Sequence, residues 1–537
     1  MRRKKKSEIE ISPVLEDFKK GRLFIEDELT KRKVSKELIQ ENVLVFEELF
    51  LRIIDQKVAD SNITIWIKER ISETRVMVDF GGRRFNINYD DVDEFNPGAI
   101  ILSKYEEKIG YAYRSNENSI GIIARRTQDR MWIWSLIAVA TAIVTYSILA
   151  CTLDAGQQDF VCVNVVYRIE MLFGNAMIMI SSPVTFFSLV TNVTDVYVKA
   201  DRGRSLGSFF VRILKASSIA ILVALLIYYV TRPLMNSIYQ QAGMNEFENN
   251  SANFYSTFRG YFLNMVPDNI FDIFITISPF PLVLIAFITS AAICSSNRHF
   301  DGIKSLNDNI NAFFSRILYI IAMFMPIAAY LAILDSLLTS GFNTLFFIAI
   351  LILFVLIGSA LVMAIYLIPV ARAGINPIEF VRTCMPLFIE NFKINSSIDA
   401  VPFNTRFCNR HFGTDIKLLD KELPVLAQIS QSGNSYMITL FSLMFMSFTG
   451  ATLSITTVVM LAILVFILSI GAPGQPGSIL IGLIIVFSFA GISFELMCVA
   501  IYIEVFFGRL LPLMNVFGDI TSVVVYSHEK VKKENKK

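Results

Sequence analysis

The sequence predicts a polytopic α-helical membrane protein that carries an N-terminal cytoplasmic α+β domain. Three observations predict it. The chain of 537 residues is 54% hydrophobic and only 18% charged, where a soluble domain holds roughly 25% charged residues. The deficit is uneven, because residues 1–130 are dense in Lys, Arg, Asp and Glu while long stretches beyond them hold none. Between those stretches, basic segments alternate with segments that lack Lys and Arg, the signature of loops on opposite sides of a bilayer.

The N-terminal unit, taken as residues 1–128, has helical periodicity over Glu37–Asp55 and alternating strands at Thr64–Lys68, Arg75–Asp79 and Ser119–Ala124. Its opening residues hold no apolar run of about 15 residues, so no cleavable signal peptide is expected. A helix needs roughly 20 apolar residues to cross the hydrocarbon core. Met131–Leu153 supplies the first such run, and Met171–Thr194 the second, expected to break at Pro183. Lys215–Thr231, Asn269–Asn297, Ile317–Leu334 and Ser336–Ala371 follow. Leu423–Phe494 then holds no Asp, Glu, Lys or Arg and exceeds two ordinary spans. Inside it, Gly471–Gly477 reads Gly-Ala-Pro-Gly-Gln-Pro-Gly. A simple span has no use for such a break; a helix that stops within the membrane and turns back does. A last amphipathic run, Gly491–Tyr526, closes the membrane part.

Loop charge sets the orientation. Arg125, Arg126 and Arg130 place the N-terminus in the cytoplasm, and Asp154–Val165, without Lys or Arg, outside. Lys199, Arg202 and Arg204 return inside, Asn236–Ser256 outside, Arg298 and Lys304 inside, and Thr339–Asn343 outside. Arg372, Arg382, Arg406, Arg410, Lys417, Lys421 and the C-terminal lysines are inside. A net charge of +2 gives no sign of nucleic-acid binding over the whole chain, so none is expected. The basic runs Arg2–Lys6 and Lys530–Lys537 suit tails beside anionic lipid. The six cysteines form no CxxC and no Cys/His metal spacing, so they read as free thiols.

A series of motifs between Arg130 and Val525 gives the chain a likeness. Met177-Ile-Met-Ile-Ser-Ser-Pro183 comes first, then Met265-Val-Pro-Asp-Asn269 with Phe271, Met325-Pro-Ile327, and Asn376-Pro377 with Met385-Pro386. Lys393-Ile-Asn-Ser-Ser-Ile-Asp-Ala-Val-Pro402 carries a serine-rich tip. Gly450-Ala-Thr452, Ser469-Ile-Gly-Ala-Pro-Gly-Gln-Pro-Gly477 and Asn515-Val-Phe-Gly-Asp519 complete the order. In this order and spacing the chain resembles the dicarboxylate/amino acid:cation symporter family. The resemblance implies eight transmembrane helices plus two re-entrant helical hairpins, assembled as a homotrimer. It implies a scaffold and a mobile transport part that slides like an elevator, driven by a sodium ion or proton, in the cell (inner) membrane. It divides the chain into helices 1–6 at 129–372, a transport core at 373–527 and a basic tail at 528–537. No enzymatic cofactor is implied; the partners are a small organic solute, membrane lipid and a cytoplasmic protein that docks on residues 1–128.

Site residues follow from the same resemblance. Asn515 and Asp519, one turn apart, offer oxygens to a hard cation, and with the Gly450 carbonyl they fall on a family sodium site. Thr452, Ser469, Ile470 and Ala472 fall on a second one built mainly from carbonyls. An acid at hydrocarbon depth needs a cavity or an ion; the bland alternative is that Asp519 lies at a solvated helix end. Ser396, Ser397, Gln475, Glu504, Gly508, Leu511 and Asn515 fall on the substrate site, with Glu504, Gly508, Leu511, Asn515 and Asp519 expected on one face of a last helix. The departures are informative. Thr456 replaces a membrane carboxylate of a third sodium site, Gly508 an Asp that holds a substrate amino group, Leu511 the substrate-clamping Arg, and Pro512 a Thr. A second substrate carboxylate facing Leu511 would be buried unpaired, so acidic amino acids and C4-dicarboxylates are not expected as solutes. The segment Arg406–Gly433 is longer than the family pattern.

The first unit faintly resembles an anti-sigma-factor-type ATPase-like domain, through Glu47-Glu48, Phe80-Gly-Gly-Arg-Arg-Phe85 and the run from Ile100 to Ile122. Arg52 stands where that family has its magnesium-binding Asn and both nucleotide loops are missing, which implies a non-catalytic regulatory or docking domain. The rival to transport is a membrane sensor that keeps the symporter fold and signals through residues 1–128.

Overall fold

The computed structural model describes residues 8–70, 73–86, 102, 105, 108–114, 117–126, 131–199, 206–241, 265–295, 301–448, 453–472, 477–490 and 497–534. It divides into two units, Met1–Arg130 and Met131–Lys537.

In the first unit, α1 (Phe18–Lys31) and α2 (Lys36–Asp55) accompany a five-stranded antiparallel sheet of order β1-β2-β3-β5-β4. The strands are β1 (Glu8–Ile11), β2 (Ile63–Arg70), β3 (Glu73–Gly81), β4 (Ile109–Arg114) and β5 (Glu117–Arg126). Alternation puts Ile63, Ile65, Val76, Val78, Ile120 and Ile122 on one buried face, packed with Phe46 and Phe50 of α2. Ser35 caps α2 by accepting a hydrogen bond from the Leu38 amide. Asn118, fully buried, receives the Phe85 amide at 3.0 Å and the Tyr111 hydroxyl at 2.7 Å, and donates to the Arg83 carbonyl. It pins the Phe80–Phe85 loop to the sheet. Arg52 pairs with Glu48 at 3.0 Å.

The second unit opens with α3 (Met131–Thr152). A π-helical turn at Cys162–Val166 leads into α4 (Tyr167–Lys199). The expected break at Pro183 does not occur: α4 runs through it. Beside it the Ser181 hydroxyl donates to the Ile178 carbonyl and the Thr185 hydroxyl to the Ser181 carbonyl, and a helix packed among neighbours tolerates a proline that lacks an amide donor. There follow α5 (Leu206–Gln241), α6 (Pro279–Ser295), α7 (Asp301–Ala322), α8 (Met325–Ser340) and α9 (Asn343–Ala373). The fifth apolar run is therefore split; α7 and α8 bend by 49° at a break before Pro326. The C-terminal part is built of shorter pieces. These are α10 (Pro377–Ile394), α11 (Val401–Phe412), α12 (Ile416–Ile429), α13 (Ser432–Phe448), α14 (Ile455–Gly471), α15 (Ser478–Ala490), α16 (Met497–Phe507) and α17 (Leu510–Glu534). The pair α11–α12 occupies the long segment Arg406–Gly433.

Five described helices are long and apolar enough to cross a bilayer, six if the bent pair is one span. Ile348–Ala373, with mean hydropathy 3.1, is the most apolar. Large side chains such as Val230, 69% exposed, cover the outside of the unit, the surface that lipid solvates and water does not. Inside, Tyr228, Tyr436, Phe441, Phe487 and Phe517 fill the core. Helices α9 and α13 cross at Gly358, where a Cβ would stand 1.9 Å from the Tyr436 hydroxyl.

Candidate functional site

Each helix end leaves up to four N–H or C=O groups without partners. The C-terminal part has helix ends around 395–400, at Ser430–Gln431, after Gly471, before Ser478 and at Gly508–Arg509. Several buried polar side chains meet them.

Asn515 of α17 joins the first two ends. Its Oδ1 accepts the Gly433 amide at 2.7 Å, and its Nδ2 donates to Gln431 Oε1 at 2.5 Å and to Ser397 Oγ at 3.5 Å. Gly433 permits the approach, since a Cβ there would lie 2.8 Å from the Leu511 carbonyl and 3.0 Å from Asn515 Oδ1. Asn434 donates to Gln431 Oε1, and Ser478 at the start of α15 donates to Asn434 Oδ1, each at 3.3 Å. Amides and hydroxyls from four elements thus form one buried cluster.

Asp519 lies one turn beyond Asn515, midway along the candidate span Leu510–Lys530, and is 2% exposed. The Ser430 hydroxyl lies beside its carboxylate, and its Oδ1 has no hydrogen-bond partner. Ser432 Oγ, also buried without a partner, stands 3.6 Å from the Cβ that Gly518 lacks. A bare carboxylate oxygen in such a place is strongly unfavourable unless a cation or proton reaches it. The oxygens of Asp519, Ser430 and Ser432 are the hard donors that suit such an ion.

Glu504 and Arg509 flank the last break and turn in different directions. Glu504 accepts the Gly477 amide at 2.7 Å and the Leu480 amide at 3.4 Å, at the N-terminus of α15. Arg509 donates to the Phe392 carbonyl at 2.6 Å, at the C-terminus of α10, and lies over the Phe392 ring. Both charges match the helix end they meet. Because α16 stops at Phe507 and α17 starts at Leu510, the expected single helical face from Glu504 to Asp519 is interrupted at Gly508. Leu511 is buried and presents its carbonyl to Gly433.

The remaining expected residues are placed as follows. Ser396 Oγ is used within its own tip, accepting the Asp399 amide. Ser469 donates to Phe466, and the Ile470 carbonyl accepts Asn192 Nδ2 of α4 at 2.7 Å. Ala472 ends α14 in extended backbone. Gly450, Thr452 and Gln475 lie outside the described residues. The helix break that meets Asn515 is Ser430–Gln431. From there α13 runs 17 residues, about 25 Å, to Phe448, two residues before Gly450. Gln431, Asn434, Ser430, Ser432, Ser478 and Arg509 were not singled out in the sequence. The polar run Ser430-Gln-Ser-Gly-Asn-Ser435 within an uncharged stretch was the available signal.

Comparison with known proteins follows this geometry. A family model described as "Sodium:dicarboxylate symporter family" matches residues 125–529. Excitatory amino acid transporter 4 of Mus musculus is 25% identical over 153 residues, 28% of this chain and 27% of that protein. Excitatory amino acid transporter 3 of Mus musculus is 27% identical over 144 residues, 27% of this chain and 28% of that one. The putative sodium-dependent excitatory amino acid transporter glt-4 of Caenorhabditis elegans is 25% identical over 174 residues, 32% of this chain and 34% of its own length. The chain spans about a third or less of the length of these curated relatives.

Proposed function

This chain belongs to the sodium:dicarboxylate symporter family, and from that premise we propose that it is a cation-coupled secondary symporter of a small organic solute in the cell membrane. The coupling ion is sodium, held at Asp519 with Ser430, Ser432 and Asn515 around it, with a proton as the alternative occupant. Eight spans and two re-entrant hairpins, at 395–400 and 472–477, enclose the solute beside Asn515. The transport part moves against a scaffold within a trimer, with both chain ends in the cytoplasm and residues 1–128 as a regulatory or docking unit.

One observation carries this reading: a carboxylate at mid-span, 2% exposed, with an oxygen that no protein group satisfies. A structural ion pair or a solvated helix end accounts for neither the burial nor the vacant lone pairs. The relatives are named for excitatory amino acids, yet acidic solutes do not fit here. Leu511 offers nothing to a second carboxylate, and the cluster around Asn515 is neutral. A neutral or monocarboxylate solute suits it. Gly508 and Leu511, which stand where the family places its substrate-holding Asp and Arg, support the second reading, a sensor that keeps the fold without transport.

Uptake by liposomes containing the purified protein, under an imposed sodium or proton gradient, separates the two. Accumulation of at least one neutral or monocarboxylate solute is expected, at a rate that collapses with the gradient. No gradient-driven uptake across a broad solute panel, together with cation binding that leaves the transport part unmoved, would establish the sensor instead.

A further inference from the structure

The Glu504 carboxylate is placed by three independent features. First, it reaches the N-terminus of α15, where Gly477 and Leu480 donate their amides at 2.7 and 3.4 Å. Those are donors that a helix leaves unpaired. Second, Gly508 clears its path, since a Cβ there would stand 2.7 Å from Glu504 Oε1. The space a side chain at 508 would take holds the acid of the preceding turn. Third, Glu504 is 7% exposed, so its charge is matched by oriented amides rather than water. A negative group at a helix N-terminus gains from both the free amides and the helix dipole, as bound anions do.

We propose that Glu504 is the built-in counter-anion of the second hairpin: its carboxylate fastens the N-terminus of α15 to the α16–α17 break, and the place it fills takes a small carboxylate when the side chain is removed. Glu504 is then a positioning residue for the hairpin that covers the solute. The role deepens the transport reading, in which that hairpin opens and closes, but its test needs no transport. It also gives a reason for neutral or singly charged solutes: the anion site at this helix end is occupied by the protein itself.

The test is the labelling rate of a cysteine at Ser478, 4% exposed, by a water-soluble maleimide. It uses the full-length purified protein with its six native cysteines replaced. Glu504→Ala is expected to speed labelling roughly tenfold or more, the change that losing one hydrogen bond to a charged group implies. Formate titrated into the sample should restore slow labelling, and formamide, which has the same shape without the charge, should not. Glu504→Gln keeps an acceptor without the charge and should give an intermediate rate, which keeps the test decisive if the alanine variant does not fold. Unchanged labelling in both variants, or fast labelling in Glu504→Ala that formate leaves fast, overturns the proposal. Normal gating with failed uptake would remove the transport reading alone, whereas gradient-driven uptake with unchanged labelling would remove this role alone.

Discussion

Helices α10 and α15 are held at opposite poles. The C-terminal end of α10 has a carbonyl that meets Arg509; the N-terminus of α15 has amides that meet Glu504. The two side chains lie five residues apart on either side of one helix break. The difference teaches how these two ends are closed: a carbonyl end meets a cation and an amide end an anion. The buried Ser430–Gln431 end is closed instead by the neutral Asn515, and the exposed α2 start by a serine cap.

The comparison is broken most strongly at Arg509. Arg509→Leu leaves the Phe392 carbonyl without its donor and should lower stability by about 3 kcal/mol, read as a fall in the thermal midpoint of purified protein. Arg509→Lys should recover about half by keeping the charge without the planar fork. A midpoint unchanged in Arg509→Leu would show that the end of α10 does not depend on the charge. The next effect is at Gly433, where alanine meets the Leu511 carbonyl at 2.8 Å and should lose about 1–3 kcal/mol. Its signature is that the loss shrinks in Asn515→Ala, because the two share one contact.

Much of this arrangement was legible in the sequence, and the reasons differ by element. The runs Met131–Leu153 and Ser336–Ala371 read directly because a bilayer demands uninterrupted apolar length. The break at Gly471–Gly477 read because glycine and proline punctuate it. Helix α2 and three strands read from periodicity, while β1, β4 and α1 did not. β1 is too short to carry a pattern, and α1 is mostly polar on its exposed side. The Ser430–Gln431 break stayed hidden because neither Gly nor Pro marks it; its polar groups are satisfied by Asn515, more than 80 residues away in the chain. Glu504 was visible as a buried acid, but its partners lie 27 and 24 residues earlier, and periodicity within one helix does not report such contacts. Pro183 differs for another reason: the local rule favours a break, and α4 runs through it because packing against neighbouring helices outweighs one missing amide donor.

Smaller effects sharpen the contrast between charged and neutral ties. Asn391 of α10 and Asn404 of α11 bond each other at 2.9 and 3.3 Å, both buried. Asn391→Leu should cost about 1–2 kcal/mol by leaving Asn404 unsatisfied, and the double leucine variant should recover most of it. A double variant worse than the single one would mean that the pair fixes the two helices by more than its own bonds. The smallest change belongs to the first unit, at the exposed Ser35, where Ser35→Ala should lose about 1 kcal/mol. Amide hydrogen exchange of α2 reads it, with α15 unaffected.

The central claim to test is the proposed cation site at Asp519. Thermal unfolding of the purified protein, titrated with sodium chloride against choline chloride at constant ionic strength, measures it. The midpoint should rise with sodium in the native protein, as a ligand bound to the folded state alone requires, and the rise should vanish in Asp519→Ala. Sodium-dependent stabilisation that persists in Asp519→Ala would contradict the placement of the ion.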